Sequence, residues 1–141
     1  MKAINKRKIS GIVLLIITFI SCNNIENKVQ GHWTIEKMTK GKIDLLQVLY
    51  SNGFGLKEDH SCTLPIDNLK DRHSRKETGE WKVFEKSGKE YLQIISENKN
   101  FHGTYHITNS KTITDSISLG QLVKISFVSD SITIHCIKTK I

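Results

Sequence analysis

Proline, arginine, cysteine and long apolar runs are all scarce in this chain, and each shortage narrows what it can be. One proline in 141 residues, set among many β-branched residues and repeated apolar alternation, points to a β protein. Arginine occurs only at Arg7, Arg72 and Arg75. Arginine forks are what phosphate and base recognition favour, so nucleic acid is not an expected partner. No run approaches the roughly 20 apolar residues of an ordinary spanning helix. There is no glycine-rich phosphate loop, no nucleophile elbow and no paired-carboxylate context. No repeat or low-complexity segment occurs. No catalytic residue and no cofactor is expected.

Acidic residues are missing before Glu26, whereas Lys2, Lys6, Arg7 and Lys8 cluster there. The apolar run of residues 9–20 comes next, broken by Ser10, Gly11 and Thr18. This charge-then-apolar order is that of a secretory signal peptide. Removing such a segment changes the charge. Of the formal +7, four basic residues lie before Cys22, which leaves 17 Lys and Arg against 14 Asp and Glu. The basic character therefore serves export and does not describe the rest of the chain. About 120 residues remain, which suits one domain with a real core.

Past Cys22 two cysteines are left, Cys62 and Cys136. They could pair in an oxidising compartment or stay as two buried thiols, and spacing does not decide between these.

Residues 31–38 read as a first strand, with Trp33, Ile35 and Lys37 on one face and Thr34, Glu36 and Met38 on the other. Residues 43–50 fit either a short helical turn or an irregular strand. Residues 54–57 and 61–64 form a hairpin through Glu58-Asp59-His60, ended by Pro65, which cannot donate to a ladder. The charged stretch 66–78 reads as a polar, mobile loop. Strands are expected at 79–86 and 90–96 across Ser87-Gly88-Lys89. Another is expected at 101–108, with Phe101, Gly103, Tyr105 and Ile107 on one face. Residues 109–120 are a long connection with at most a short strand at 112–114. A final hairpin pairs 121–128 with 131–138, its inward residues being Val123, Ile125, Phe127, Ile132, Ile134 and Cys136. About eight successive antiparallel strands favour an up-and-down barrel, since closure removes exposed edges. A two-sheet β-sandwich is the alternative.

Two resemblances add to this reading. Phe19-Ile20-Ser21-Cys22 resembles the lipobox of bacterial lipoproteins, in which a small residue precedes the cysteine that receives lipid. That implies a signal peptide over 1–21, lipid such as palmitate on Cys22, a polar tether over 22–29, and attachment to a membrane of the cell envelope. The alternatives are a plain signal peptide with a coincidental cysteine and an uncleaved signal anchor. Residues 30–141 resemble a lipocalin-like domain of the small lipoprotein type. The carrying features are Gly31-x-Trp33, the hairpin from Phe54 to Cys62-Thr63-Leu64-Pro65, and Gly79-x-Trp81. The resemblance implies that Trp33 plugs one end of the barrel. The late arginine that packs on this tryptophan in such barrels is not evident, since only Arg72 and Arg75 occur in the domain and both fall in the charged loop.

Six histidines invite a metal site. His102 and His106 share a strand face but stand roughly 13 Å apart at strand rise, and His60-x-Cys62 lacks a second pair. Metal binding is not expected. Two functions remain. A small hydrophobic ligand could occupy a cavity lined by Trp33, Phe54, Leu56, Leu64, Tyr105, Ile107, Ile125, Phe127 and Ile134, unless these simply fill the core. Alternatively, a protein partner could be bound through surface loops, above all the charged stretch 67–77.

Overall fold

A computed structural model describes residues 24–114 and 120–140. The structure is all-β, a closed eight-stranded antiparallel barrel with up-and-down connectivity. Its strands are β1 (Gly31–Lys40), β3 (Gly53–Leu56), β4 (Ser61–Thr63), β5 (Thr78–Lys86), β6 (Lys89–Ser96), β7 (Gly103–Thr114), β8 (Gln121–Val128) and β9 (Ile132–Lys140). A two-residue β2 (Ile43–Asp44) extends the end of β1. Closure depends on the length of β1. Its first half, Gly31 to Thr34, pairs with β3, and its second half, Thr34 to Lys40, pairs with β9. Every barrel strand thus finds a neighbour on each side over part of its length, which closes the sheet.

The barrel has two unlike ends. Residues 24–29 are helical (α1) and close the base, where β1 begins and β9 ends. The distal end carries the connections 41–52, 64–77, 97–102 and 129–131.

Four expectations change. The stretch expected as a polar tether is helical from residue 24, and Ile25 (2% exposed) and Val29 (0%) join the barrel core. Their i, i+4 spacing puts both on one helix face. On β1 the register slips between Ile35 and Lys37, so Glu36 is an extra residue. Beyond this bulge the two faces of the strand are exchanged. Met38 turns inward, fully buried, and Lys37 turns out. A one-residue shift has this effect on any strand, and here it swaps a charged side chain for an apolar one in the core. Finally, β7 continues through the expected connection to Thr114 by means of a second bulge between Thr108 and Lys111. The run Asn109-Ser110-Lys111 breaks the alternation that marks a strand, which is why its continuation was hidden. Phe101, expected inside that strand, sits in the preceding turn with its side chain buried.

The ambiguous stretch 43–50 resolves into β2 and a 3₁₀ turn (Leu46–Val48), with the Leu46 amide donating to Asp44 Oδ1. The stretch 66–78 contains two 3₁₀ turns, Leu69–Asp71 and Arg75–Glu77, opened by Asn68 and Ser74 side chains that accept from Lys70 and Lys76 amides. Cys22 and residues 1–21 lie outside the described residues.

Candidate functional site

The interior comes first, because the nine residues named as a ligand cavity all point there and all are buried. The aromatic ones touch in series. The Trp33 ring meets Phe127 edge-on at 6.1 Å, Phe127 meets Phe54 at 6.2 Å, and Phe54 meets Phe101 at 6.4 Å. These separations lie in the favourable range for aromatic pairs. Sequence reasoning did not place Phe101 in this file. Tyr105 is buried beside it and donates its hydroxyl to the Phe101 carbonyl at 2.9 Å. Burial pushes the Tyr105 phenol well up. Eight strands enclose room for side chains or one small ligand.

Cys62 and Cys136 are free buried thiols. Strands β3 and β1 stand between β4 and β9 in the sheet. Three steps of about 4.8 Å therefore separate them, beyond the Cα reach of a disulfide. In this structure the second alternative, two buried thiols, is the one realised. Burial raises the Cys62 pKa to about 11, with Glu80 adding to the effect. Burial raises Cys136 further, with a contribution from Glu36.

At the base, Trp33 plugs the barrel. Its indole N–H donates to the Val29 carbonyl at 2.6 Å. Lys138 on β9 lies over the same ring, its ammonium 4.6 Å from the ring centre. That ammonium donates to the carbonyls of Lys28, at 3.0 Å, and Gln30. Burial lowers the Lys138 pKa. The helix is held from two other sides, by Lys28 to Glu90 and by Glu26 to His60 at 3.4 Å. His60 in turn stacks on Trp81. Sequence reasoning missed Lys138, yet a signal existed: it continues the inward series Ile132, Ile134, Cys136 at period two.

The histidines are scattered over the surface. His102 is tied to the Ser96 backbone, His106 packs on Tyr91, and His135 pairs with Ser126 at 2.8 Å. Among the described residues no group of three His, Cys, Asp or Glu could hold a metal ion.

The distal end differs in character. Ile43 (62% exposed), Val48, Tyr50 (57%) and Leu69 are large apolar side chains left in water on the connections 41–52 and 64–77. The two connections are joined where the Tyr50 amide donates to the Ile66 carbonyl at 2.7 Å. Around them stand the charges of the 67–77 stretch, with Arg75 reaching Glu97 at 3.4 Å.

Among the described residues no helix is long and apolar enough to cross a membrane. Comparison with protein-family models, with curated proteins and with solved structures gave no match to this chain.

Proposed function

We propose that this chain is a bacterial lipoprotein, anchored by lipid on Cys22, whose lipocalin-like barrel presents its distal loops to a protein partner in the cell envelope. The docking of α1 carries this reading. Only Asn23 stands between Cys22 and Asn24, the first described residue of the helix, and Ile25 and Val29 fix that helix in the base. Lipid on Cys22 would then hold the base against the bilayer and point the distal loops away from it. Two or more acyl chains suffice for such anchoring, at about 0.8 kcal/mol per buried CH₂.

The distal apolar side chains support the partner. Ile43, Val48, Tyr50 and Leu69 are exposed on two connections joined by the Tyr50 to Ile66 backbone hydrogen bond, and exposed apolar surface at one end of a domain is the material of an interaction site. The aromatic file from Trp33 to Phe101 favours a filled interior over a small hydrophobic ligand. The lipocalin-like assignment gains from Lys138, which packs on Trp33 where such barrels use a late arginine.

Two measurements test this. Labelled palmitate should enter the wild-type chain and not Cys22→Ser; if both chains stay membrane-bound, unprocessed and unlabelled, the lipoprotein reading fails. Photo-crosslinkers placed at Tyr50 and Leu69 in cells should capture a discrete protein, while one at exposed Lys89 on the base should not. Equal capture from both ends would remove the distal surface from the proposal. Native mass spectrometry that finds a hydrophobic small molecule carried by the chain would restore the ligand reading.

A further inference from the structure

The wall of the barrel parts near its base. The ladder between β1 and β9 stops at Thr34↔Ile137. Beyond it, Gly31–Trp33 pair with β3 alone and residues 138–140 pair with β8 alone. A cleft of about 680 Å³ fills this gap, with α1 residues on one side and the ends of β7, β8 and β9 on the other. That volume suits a small organic ligand.

The chemistry of the lining is one-sided. Its polar groups include Lys28, His32, Thr34, Thr112, Lys138 and Thr139, and among the described residues no carboxylate lines it, in a chain with 14 Asp and Glu. Lys28 already has Glu90. Lys138 has no carboxylate partner among the described residues; carbonyl oxygens and the Trp33 face are all that compensate its half-buried charge. A cation partly removed from water without a counter-ion is costly, and a nearby opposite charge relieves that cost.

We infer that this cleft binds a phosphate ester of a small hydroxylated molecule, with Lys138 supplying the charge and the threonine hydroxyls and His32 supplying hydrogen bonds. The same chemistry occurs in a soluble sugar- or glycerol-type phosphate and in the headgroup of an anionic phospholipid. The inference stands apart from the distal surface and from lipid on Cys22, since it uses only residues of the barrel wall and of α1 with the Gln30 that follows it.

The test titrates the ¹⁵N-labelled full chain in neutral detergent with glycerol phosphate and, separately, with dihexanoyl phosphatidylglycerol. Amide resonances of His32, Thr112 and Thr139 should move saturably. Movement with glycerol phosphate assigns a soluble ligand; movement with the short-chain lipid alone assigns a headgroup. Thr112→Glu places a carboxylate on an exposed wall position and should weaken binding about tenfold, with the rest of the spectrum unchanged. Lys138→Gln should abolish it, but because Lys138 also holds α1, Thr112→Glu is the deciding variant. No saturable movement with either probe, or equal affinity in a folded Thr112→Glu, overturns the inference.

Discussion

Lys138 and Trp33 form one unit: the ammonium lies 4.6 Å from the indole centre, and the two side chains grip the same helix and its exit, Trp33 through the Val29 carbonyl and Lys138 through those of Lys28 and, just past the helix, Gln30. Cation–π attraction and hydrogen bonds from a charged donor each contribute about 1–2 kcal/mol at partly buried sites. Lys138→Met keeps the apolar stem and loses these terms, so we expect it to lower unfolding free energy by about 2 kcal/mol. Lys138→Arg should retain most of the stability, because a guanidinium also stacks on aromatic faces. Urea unfolding followed by tryptophan emission measures both. A Met variant as stable as wild type would show that the unit is not what holds α1.

The bulge at Glu36 makes a prediction opposite to that of a regular strand. Simple alternation buries Lys37 and exposes Met38; the structure does the reverse. Met38→Ala should therefore cost about 2–5 kcal/mol as a large-to-small core change. Lys37→Ala should stay within about 0.5 kcal/mol of wild type, as an exposed position does. The pair, measured by the same unfolding experiment, locates the extra residue without a further structure.

These two sites also mark the limits of the sequence. Where alternation ran unbroken, strand and pairing were legible in β5 and β6, and the inward face as well in β8 and β9, and with them the closed barrel. Bulges defeated the reading, since one inserted residue at Glu36 inverts the faces after it and the polar break at residues 109–111 hides the rest of β7. The nine interior residues were legible because burial selects apolar side chains at period two. Lys138 was not, because a lysine at an inward position reads as solvent-facing until the carbonyls it serves are known. Ile25 and Val29 were masked by the polar residues between them, whose composition suggested a tether although the helical spacing did not.

Gly79, the first residue of the Gly-x-Trp81 motif, is required by close contact. A Cβ there would lie 2.5 Å from the Ile95 carbonyl oxygen, 2.9 Å from Ser96 Cβ and 3.2 Å from Cys62 Sγ. Backbone and core must shift to admit it, so Gly79→Ala should destabilise by about 3 kcal/mol. Gly55→Ala is the contrast, since its new Cβ would meet the Thr63 hydroxyl at 2.9 Å, and a side-chain rotation relieves that. We expect Gly55→Ala to cost clearly less. Thermal melts of the two variants rank them directly, and equal costs would mean that β5 is not pressed against β6 as described.

The buried thiols predict how stability changes with pH. Cys62 is raised from its ordinary 9.0 to about 11, chiefly by burial, and Cys136 is raised further from the same starting value. Below pH 9 both are protonated folded and unfolded, and contribute no slope. Above pH 9 the unfolded chain loses these protons while the folded one keeps them, so stability falls as pH rises. The Tyr105 phenol, raised by burial from 10.0, acts in the same direction. Lys138 opposes them: its pKa is lowered from 10.5, so below that value the unfolded chain holds the proton more tightly and stability rises with pH. Three groups outweigh one, and the net unfolding free energy should decline from about pH 9 upward, with Cys62 alone accounting for roughly 2 kcal/mol by pH 11. Urea midpoints between pH 8 and 11 measure the slope. Cys62→Ala should make it shallower, leaving the part due to Cys136 and Tyr105, and a slope unchanged in that variant would mean that the Cys62 thiol is open to water in the folded chain.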